Sequence, residues 1–165
     1  MDTVYPIKEI RDAIKRGNLE KVKELINSYD GILNVMTPFG TLLHIAATHG
    51  KIEIVKYLIE CGFDINTKDT DFSAGAIVDA ASNGHIEIAE YLLNNGADMD
   101  ISESKRNPLF AAIYGGHKNI VELLVNKGID IHVRYTSETM QDMDAYAFAI
   151  ERGQSEIASY LKGLN

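Results

Sequence analysis

The 165-residue chain has a single cysteine, Cys61, and no long apolar run. One cysteine excludes an internal disulfide framework, so we expect a reducing, cytoplasmic compartment. No stretch is long enough to span a membrane, and the first nine residues lack the basic start and apolar run of a secretory signal. Low-complexity tracts are absent as well. The composition, 45% apolar and 24% charged, is that of one soluble folded domain.

Basic residues are scarce in the middle of the chain. Residues 51–103 hold eleven acidic and three basic residues, whereas both flanks are balanced, so the net charge of −8 lies in this central third. Such a field repels nucleic acid and anionic membrane surfaces. It favours a basic partner, although acidic residues also serve simply to keep a surface soluble.

The usual signs of catalysis and of metal binding are also missing. The sequence contains neither a glycine-rich phosphate loop nor a nucleophile motif. Cys61, His49 and His132 show no metal-ligand spacing. We therefore expect no enzymatic activity, no small-molecule substrate, no metal and no cofactor.

The sequence contains an internal repeat instead. The segment that starts at Gly50, GKIEIVKYLI, returns from Gly84 as GHIEIAEYLL and from Gly116 as GHKNIVELLV, with fainter copies from Gly17 and Gly153. These glycines are 33, 34, 32 and 37 residues apart. Each copy has the apolar period of a helix, and a shorter alanine-rich helix precedes its glycine. Neither helix can bury its apolar side alone, so the units must stack.

The second copy resembles an ankyrin repeat. Residues 39–50 read FGTLLHIAATHG, with Leu42 where proline is usual, and the fourth copy keeps the proline at Pro108. The resemblance implies an all-α, ankyrin-type solenoid of about five helix-turn-helix repeats joined by β-hairpin loops. It implies one domain, 1–165, with repeats at approximately 6–36, 37–69, 70–103, 104–136 and 141–165. We expect the first and last repeats to act as polar caps.

Two repeats depart from the family pattern at the start of their first helix. In the family, a Thr-Pro-Leu-His motif ties this start together with hydrogen bonds. The third repeat has Gly75-Ala76-Ile77-Val78 there, and the fourth has Phe110 in place of histidine. We predict that these two joints are looser than that of the second repeat.

A third departure is the long spacing before the last repeat, which adds about four residues to the loop 134–143 relative to a 33-residue period. Long loops in compact repeats are either functional or mobile. This loop contains aromatic and methionine side chains of the kind that contact binding partners, at Tyr135, Met140 and Met143. We therefore expect a functional loop.

The resemblance also implies protein binding on a concave surface, through residues just before each first glycine and at the hairpin tips. The exposed aromatic residues are the expected anchors, although Phe39 and Phe72 could instead fold back over their hairpins. Asp79 stands in an otherwise apolar helix, and we expect it to be exposed rather than paired. The candidate partner-binding residues are Phe39, Thr48, His49, Asp71, Phe72, Asp79, Ser82, Asn83, Lys105, Tyr114, Tyr135 and Arg152.

These inferences predict a protein-protein interaction module that is monomeric when free. The acidic centre suggests an inhibitor or immunity protein that neutralises a basic toxin. The alternative is an adaptor or host-directed factor with no toxin partner. A third hypothesis is an enzyme.

Overall fold

A computed structural model of the protein describes residues 5–164, apart from the side chain of Asn34. Within this range ten α-helices follow one another as five consecutive pairs, and a short 3-10 helix at Ile32–Asn34 follows the first pair. The helices are α1 (Ile7–Arg16), α2 (Leu19–Ser28), α3 (Leu42–Thr48), α4 (Ile52–Glu60), α5 (Ala76–Ser82), α6 (Ile86–Asn94), α7 (Pro108–Gly115), α8 (Lys118–Asn126), α9 (Ala145–Glu151) and α10 (Ser155–Lys162).

The helices form two layers. The first helices of the pairs, α1, α3, α5, α7 and α9, pack side by side in that order, and each second helix packs against its own first helix. Small residues let the first helices approach closely, since Ala46, Ala80 and Ala112 are all 0% exposed. The fold is therefore the stack of helix pairs that the repeat predicts.

The apolar core runs through the whole stack in two adjoining clusters. The first extends from Ile10 to Leu92, and the second extends from Ala81 to Leu161. The clusters overlap in the third pair, where Leu93 packs against both. Each pair thus buries its apolar side against its neighbours, as the sequence requires of units that cannot fold alone.

Glycine and histidine connect consecutive pairs. Gly50 has a φ of +66°, and a Cβ atom there would lie 2.6 Å from Cε1 of His85 in the next pair. The same ring places Nε2 3.1 Å from the Thr48 carbonyl oxygen. One pair later, Gly84 and His117 repeat the arrangement. Glycine is required here both by its backbone conformation and by the close approach of the ring. His85 and His117 are therefore structural residues.

The connections between pairs are less regular than the predicted hairpins. The turns before α3 and α5 contain only isolated bridges, between Thr37 and Gly40 and between Lys68 and Gly75. Within residues 5–164 the only sheet is the two-stranded antiparallel hairpin of β1 (Tyr135–Ser137) and β2 (Met140–Met143).

The hairpin β1–β2 is the enlarged loop, and its aromatic and methionine side chains mostly pack against the core. Met140 is 8% exposed, and Met143 and Tyr135 pack against the second core cluster. Arg134 ties the hairpin base by donating from Nε to Asp142 and from Nη1 to Asp144. The prediction that these three side chains make the loop adhesive is therefore wrong, because they cover the core of the last two pairs.

The last pair leaves an apolar side chain in solvent. Ile150 is 56% exposed, whereas the residues at the same position of the earlier pairs are all 0% exposed. Those residues are Ile14, Ala47, Ala81 and Ile113. The polar outer surface expected of a terminal cap is thus interrupted at this position.

Candidate protein-binding surface

The surface formed by α1, α3, α5, α7 and α9, with the turns that precede the last four, is called here the first-helix face. A groove of about 340 Å³ crosses it from α1 to α5. Six of the twelve candidate residues line this groove: Phe39, Thr48, His49, Asp71, Phe72 and Asp79. Its other lining residues are Arg11, Lys15, Pro38, Gly40, Ile45 and Asp69.

The turn before α3 holds Phe39 at one edge of the groove. Thr37 and Gly40 exchange backbone hydrogen bonds of 2.9 and 3.0 Å. The Thr37 hydroxyl also donates to the Gly40 carbonyl and accepts from the Phe39 N–H. With the turn closed in this way, Phe39 remains 61% exposed. The prediction of an exposed aromatic residue here is confirmed.

The turn before α5 holds Phe72 exposed at the edge of the groove in a similar way. Oδ1 of Asp69 accepts from the Phe72 N–H at 2.8 Å, and the Asp69 N–H donates to the Ala74 carbonyl at 2.8 Å. Phe72 is 50% exposed as a result. Asp69 therefore closes the turn, and Asp71 at the tip is exposed.

His44 connects this turn to α3 and so sets the shape of the groove. Nδ1 lies 3.2 Å from the Thr41 N–H nitrogen and 2.8 Å from its hydroxyl, while Nε2 lies 3.1 Å from the Ala74 carbonyl oxygen. A carbonyl only accepts, so Nε2 carries the proton and Nδ1 is the acceptor of a neutral ring. Burial lowers the pKa of His44, and this favours the same neutral form.

In the fourth pair, Asn107 and Tyr135 replace this link. Oδ1 of Asn107 accepts from the Leu109 N–H at 2.8 Å, and Nδ2 donates to the Tyr135 hydroxyl at 3.0 Å. That hydroxyl donates to the Ile101 carbonyl at 2.6 Å, and the Tyr135 ring packs edge-on against Phe110 at 4.9 Å. The joint therefore has its own hydrogen bonds, contrary to the expectation from Phe110.

Tyr135 is consequently a structural residue. It is half-buried between the fourth and fifth pairs, so the prediction that it is an exposed anchor is wrong. The third pair has no comparable link, because α5 follows Gly75 without a side-chain cap. The looser joint predicted there stays a prediction.

Asp79 lies in the groove and is half-buried, so the prediction that it is exposed is wrong. Burial raises the pKa of Asp79 to about 7, the charge of Asp69 adds to the rise, and the nearby Thr48 hydroxyl partly offsets it. Among the described residues no basic group lies within 4.0 Å of its carboxylate. The carboxyl is therefore partly protonated at neutral pH.

Most of the central acidic residues point away from the groove or are already paired. Four exposed glutamates, Glu53, Glu60, Glu87 and Glu90, lie on the second helices α4 and α6. Near the turns, Asp100 pairs with Lys68 at 2.5 Å, and Glu103 pairs with Arg106 at 3.3 Å. The negative field that favours a basic partner is therefore concentrated on the second helices.

Three exposed aromatic residues of the first-helix face lie beneath a basic group from a neighbouring pair. We call them the cation–aromatic pairs. They are Arg11 with Phe39 at 5.4 Å, Lys105 with Phe72 at 4.8 Å and Arg152 with Tyr114 at 4.1 Å, measured to the ring centroid.

Comparison with known families agrees with this geometry. A family model described as ankyrin repeats in three copies matches residues 10–103 and 77–165. The chain belongs to the ankyrin-repeat family. Ankyrin repeats are interaction modules for other proteins and are typically not enzymes.

One curated relative of this ankyrin-repeat chain is Palmitoyltransferase AKR1 of Naumovozyma castellii. The two are 38% identical over 66 residues, which make up 38% of this chain and 8% of that protein. A match of this extent is a likeness between repeats, and the transferase activity belongs to the relative.

Two further observations concern residues 5–164 of this ankyrin-repeat protein. They contain no cluster of three or more His, Cys, Asp or Glu side chains arranged to hold a metal ion. No helix in that range has the length and apolar character needed to cross a membrane.

The other predicted residues lie further along the same face. Ser82, Asn83 and Tyr114 lie at the ends of α5 and α7. Arg11 and Lys15 are four residues apart and so lie on the same side of α1, and both line the groove although neither is among the twelve candidates.

Proposed function

We propose that this protein binds a partner protein through the first-helix face, with Phe39, Phe72 and Tyr114 as anchors. The observation that carries the proposal is the groove, which brings six separately predicted residues together, among them the exposed aromatic side chains of Phe39 and Phe72. Aromatic residues at such positions commonly contribute most of the binding energy of an interface.

Affinity purification from the native source tests this proposal. Tagged wild-type protein is compared with a Phe39→Ala, Phe72→Ala, Tyr114→Ala variant by quantitative mass spectrometry. A partner should be captured by the wild type and lost by the variant. The control replaces exposed apolar residues elsewhere, Ile86→Ala with Leu164→Ala, and should retain the partner. Equal capture by both variants would refute the proposed surface.

We further propose that the free protein is a cytoplasmic monomer of five repeats with terminal caps. The five helix pairs and the central excess of acidic residues, which disfavours self-association, support this. Light scattering after size exclusion measures the oligomeric state, and a dimer at micromolar concentration would contradict it.

An inhibitor of a basic toxin is a second candidate, which the exposed glutamates of α4 and α6 favour. Neither the family match nor the Naumovozyma relative indicates a toxin. If the role is correct, Glu53→Lys with Glu87→Lys should abolish capture of the partner while the Phe39, Phe72 and Tyr114 variant retains it. An adaptor that binds through the first-helix face predicts the opposite result.

A further inference from the structure

The three cation–aromatic pairs have a property that a purely structural contact does not require. Within residues 5–164, none of their cations, Arg11, Lys105 and Arg152, has a carboxylate oxygen within 4.0 Å. Nε of Arg11 is buried and has no acceptor in the described part of the chain. That buried N–H is out of reach of a ligand, but within residues 5–164 the other N–H groups of the three cations also form no ion pair, while their flat or apolar sides rest on a ring.

A fourth contact of this kind on the second helices provides the contrast. Nζ of Lys23 lies 5.8 Å from the Tyr57 ring, and the same atom is bound by Glu20 at 3.0 Å. That cation is neutralised within the protein. In the described part of the chain, a carboxylate thus neutralises the cation of the second helices, and none lies within 4.0 Å of the three cations of the first-helix face.

A cation held on an exposed ring is suited to receive a carboxylate. Its contact with the ring limits the side-chain freedom lost on binding. Its free N–H groups can form charge-assisted hydrogen bonds, which are about twice as strong as neutral ones. The ring beside it supplies apolar area for the stem of the incoming side chain. A basic side chain would instead meet like charge at all three positions.

The net charge of −8 does not prevent this. Four exposed glutamates of the acidic central third, Glu53, Glu60, Glu87 and Glu90, lie on the second helices, roughly 10 Å away across a helix diameter. Charges separated by more than about 8 Å are largely screened at physiological ionic strength. The groove itself carries Asp69, Asp71 and Asp79. Asp69 is used to close its turn, whereas Asp71 is exposed beside Phe72, so removal of Asp71 should help an acidic ligand.

We infer that the partner presents aspartate or glutamate side chains, next to apolar residues, to the three cation–aromatic pairs. This deepens the proposed function and depends on it, because it assigns the chemistry of the partner to the same face. It replaces the basic partner expected from net charge alone.

A random 12-residue peptide library displayed on phage tests the inference. It is selected on the wild-type protein, and the binders are then measured on an Arg11→Gln, Lys105→Gln, Arg152→Gln variant. The matched control, Lys23→Gln, Lys127→Gln, Lys162→Gln, removes the same charge from the second helices and their ends. Circular dichroism checks that each variant is folded. If the half-buried Arg11 is required for folding, the double variant Lys105→Gln, Arg152→Gln replaces the triple variant.

Binders should be enriched in Asp and Glu beside apolar residues. They should bind the first variant about tenfold or more weakly and the control unchanged, and Asp71→Asn should strengthen them. Suppose instead that the binders no longer bind the Phe39, Phe72 and Tyr114 variant but are rich in Lys or Arg, or bind the Arg11, Lys105 and Arg152 variant as tightly as the wild type. Either result would overturn the inference and leave the proposed function intact. Absence of any binder sensitive to those aromatic residues would overturn both.

Discussion

Replacing Asp79 by asparagine should stabilise the protein, and the gain should grow as the pH rises. The folded-state pKa of Asp79 is raised from 3.8 to about 7 by burial in the groove. Below 3.8 the carboxyl is protonated in both states and the substitution changes little. Between the two values the unfolded chain has lost a proton that the folded chain keeps, so stability falls with rising pH. Above 7 the full penalty is present.

The size of the effect follows from the two pKa values. Their difference corresponds to about 4 kcal/mol if the whole shift is expressed as stability. Asp79 keeps some solvent contact, so we expect a gain of about 2 kcal/mol for Asp79→Asn above pH 8.

Urea unfolding followed by circular dichroism at pH 4.0, 6.0 and 8.5 measures this gain. These values avoid the isoelectric point near 5.0. Asp71→Asn removes the same charge from the exposed tip of the neighbouring turn and serves as the control for the change in net charge. If the gain of Asp79→Asn were equal at pH 4.0 and 8.5, or if it destabilised the protein at pH 8.5, the account of the groove would be refuted.

Three further outcomes are expected. Gly84→Ala should destabilise by about 2–4 kcal/mol, because a Cβ would lie 2.7 Å from Cε1 of His117 at a φ of +78°. Gly153→Ala, at a φ of +71° with no described atom within 4 Å, should lose only about 1–2 kcal/mol, and equal losses in urea would contradict this. Tyr135→Phe should lose about 1–2 kcal/mol, since the hydroxyl accepts from buried Asn107 and donates to the Ile101 carbonyl; an unchanged unfolding midpoint would count against that role. His44 has a lowered pKa, so stability should fall as the pH drops below 6.5, where the unfolded chain takes up the proton first. A His44→Gln variant should lack this component, and an identical pH profile would exclude it.

The candidate site was partly predictable, because some of its features are local. Phe39 and Phe72 project from tight turns whose closure depends on residues within a few positions, such as Thr37 and Asp69. Their exposure therefore follows from nearby sequence. Tyr135 is likewise an aromatic residue in a loop and looks exposed from the sequence. Its partners Phe110 and Asn107, however, are 25 and 28 residues away along the chain, and only folding brings them together.

The helix pairs and their stacking are determined by the sequence itself. Apolar residues at the period of a helix, small residues in the first helices and a glycine at each turn act within one repeat, and their recurrence predicts the stack. Tertiary structure alone decided the environment of each charge. The burial that raises the pKa of Asp79 comes from a neighbouring turn and helix. Whether a carboxylate lies beside Arg11 or Arg152 depends in the same way on distances between repeats. Electrostatic interactions between exposed charges are screened over about 8 Å, so the position of each charge matters more than the total. The count of charges along the chain indicated a basic partner, whereas their arrangement on the first-helix face indicates an acidic one.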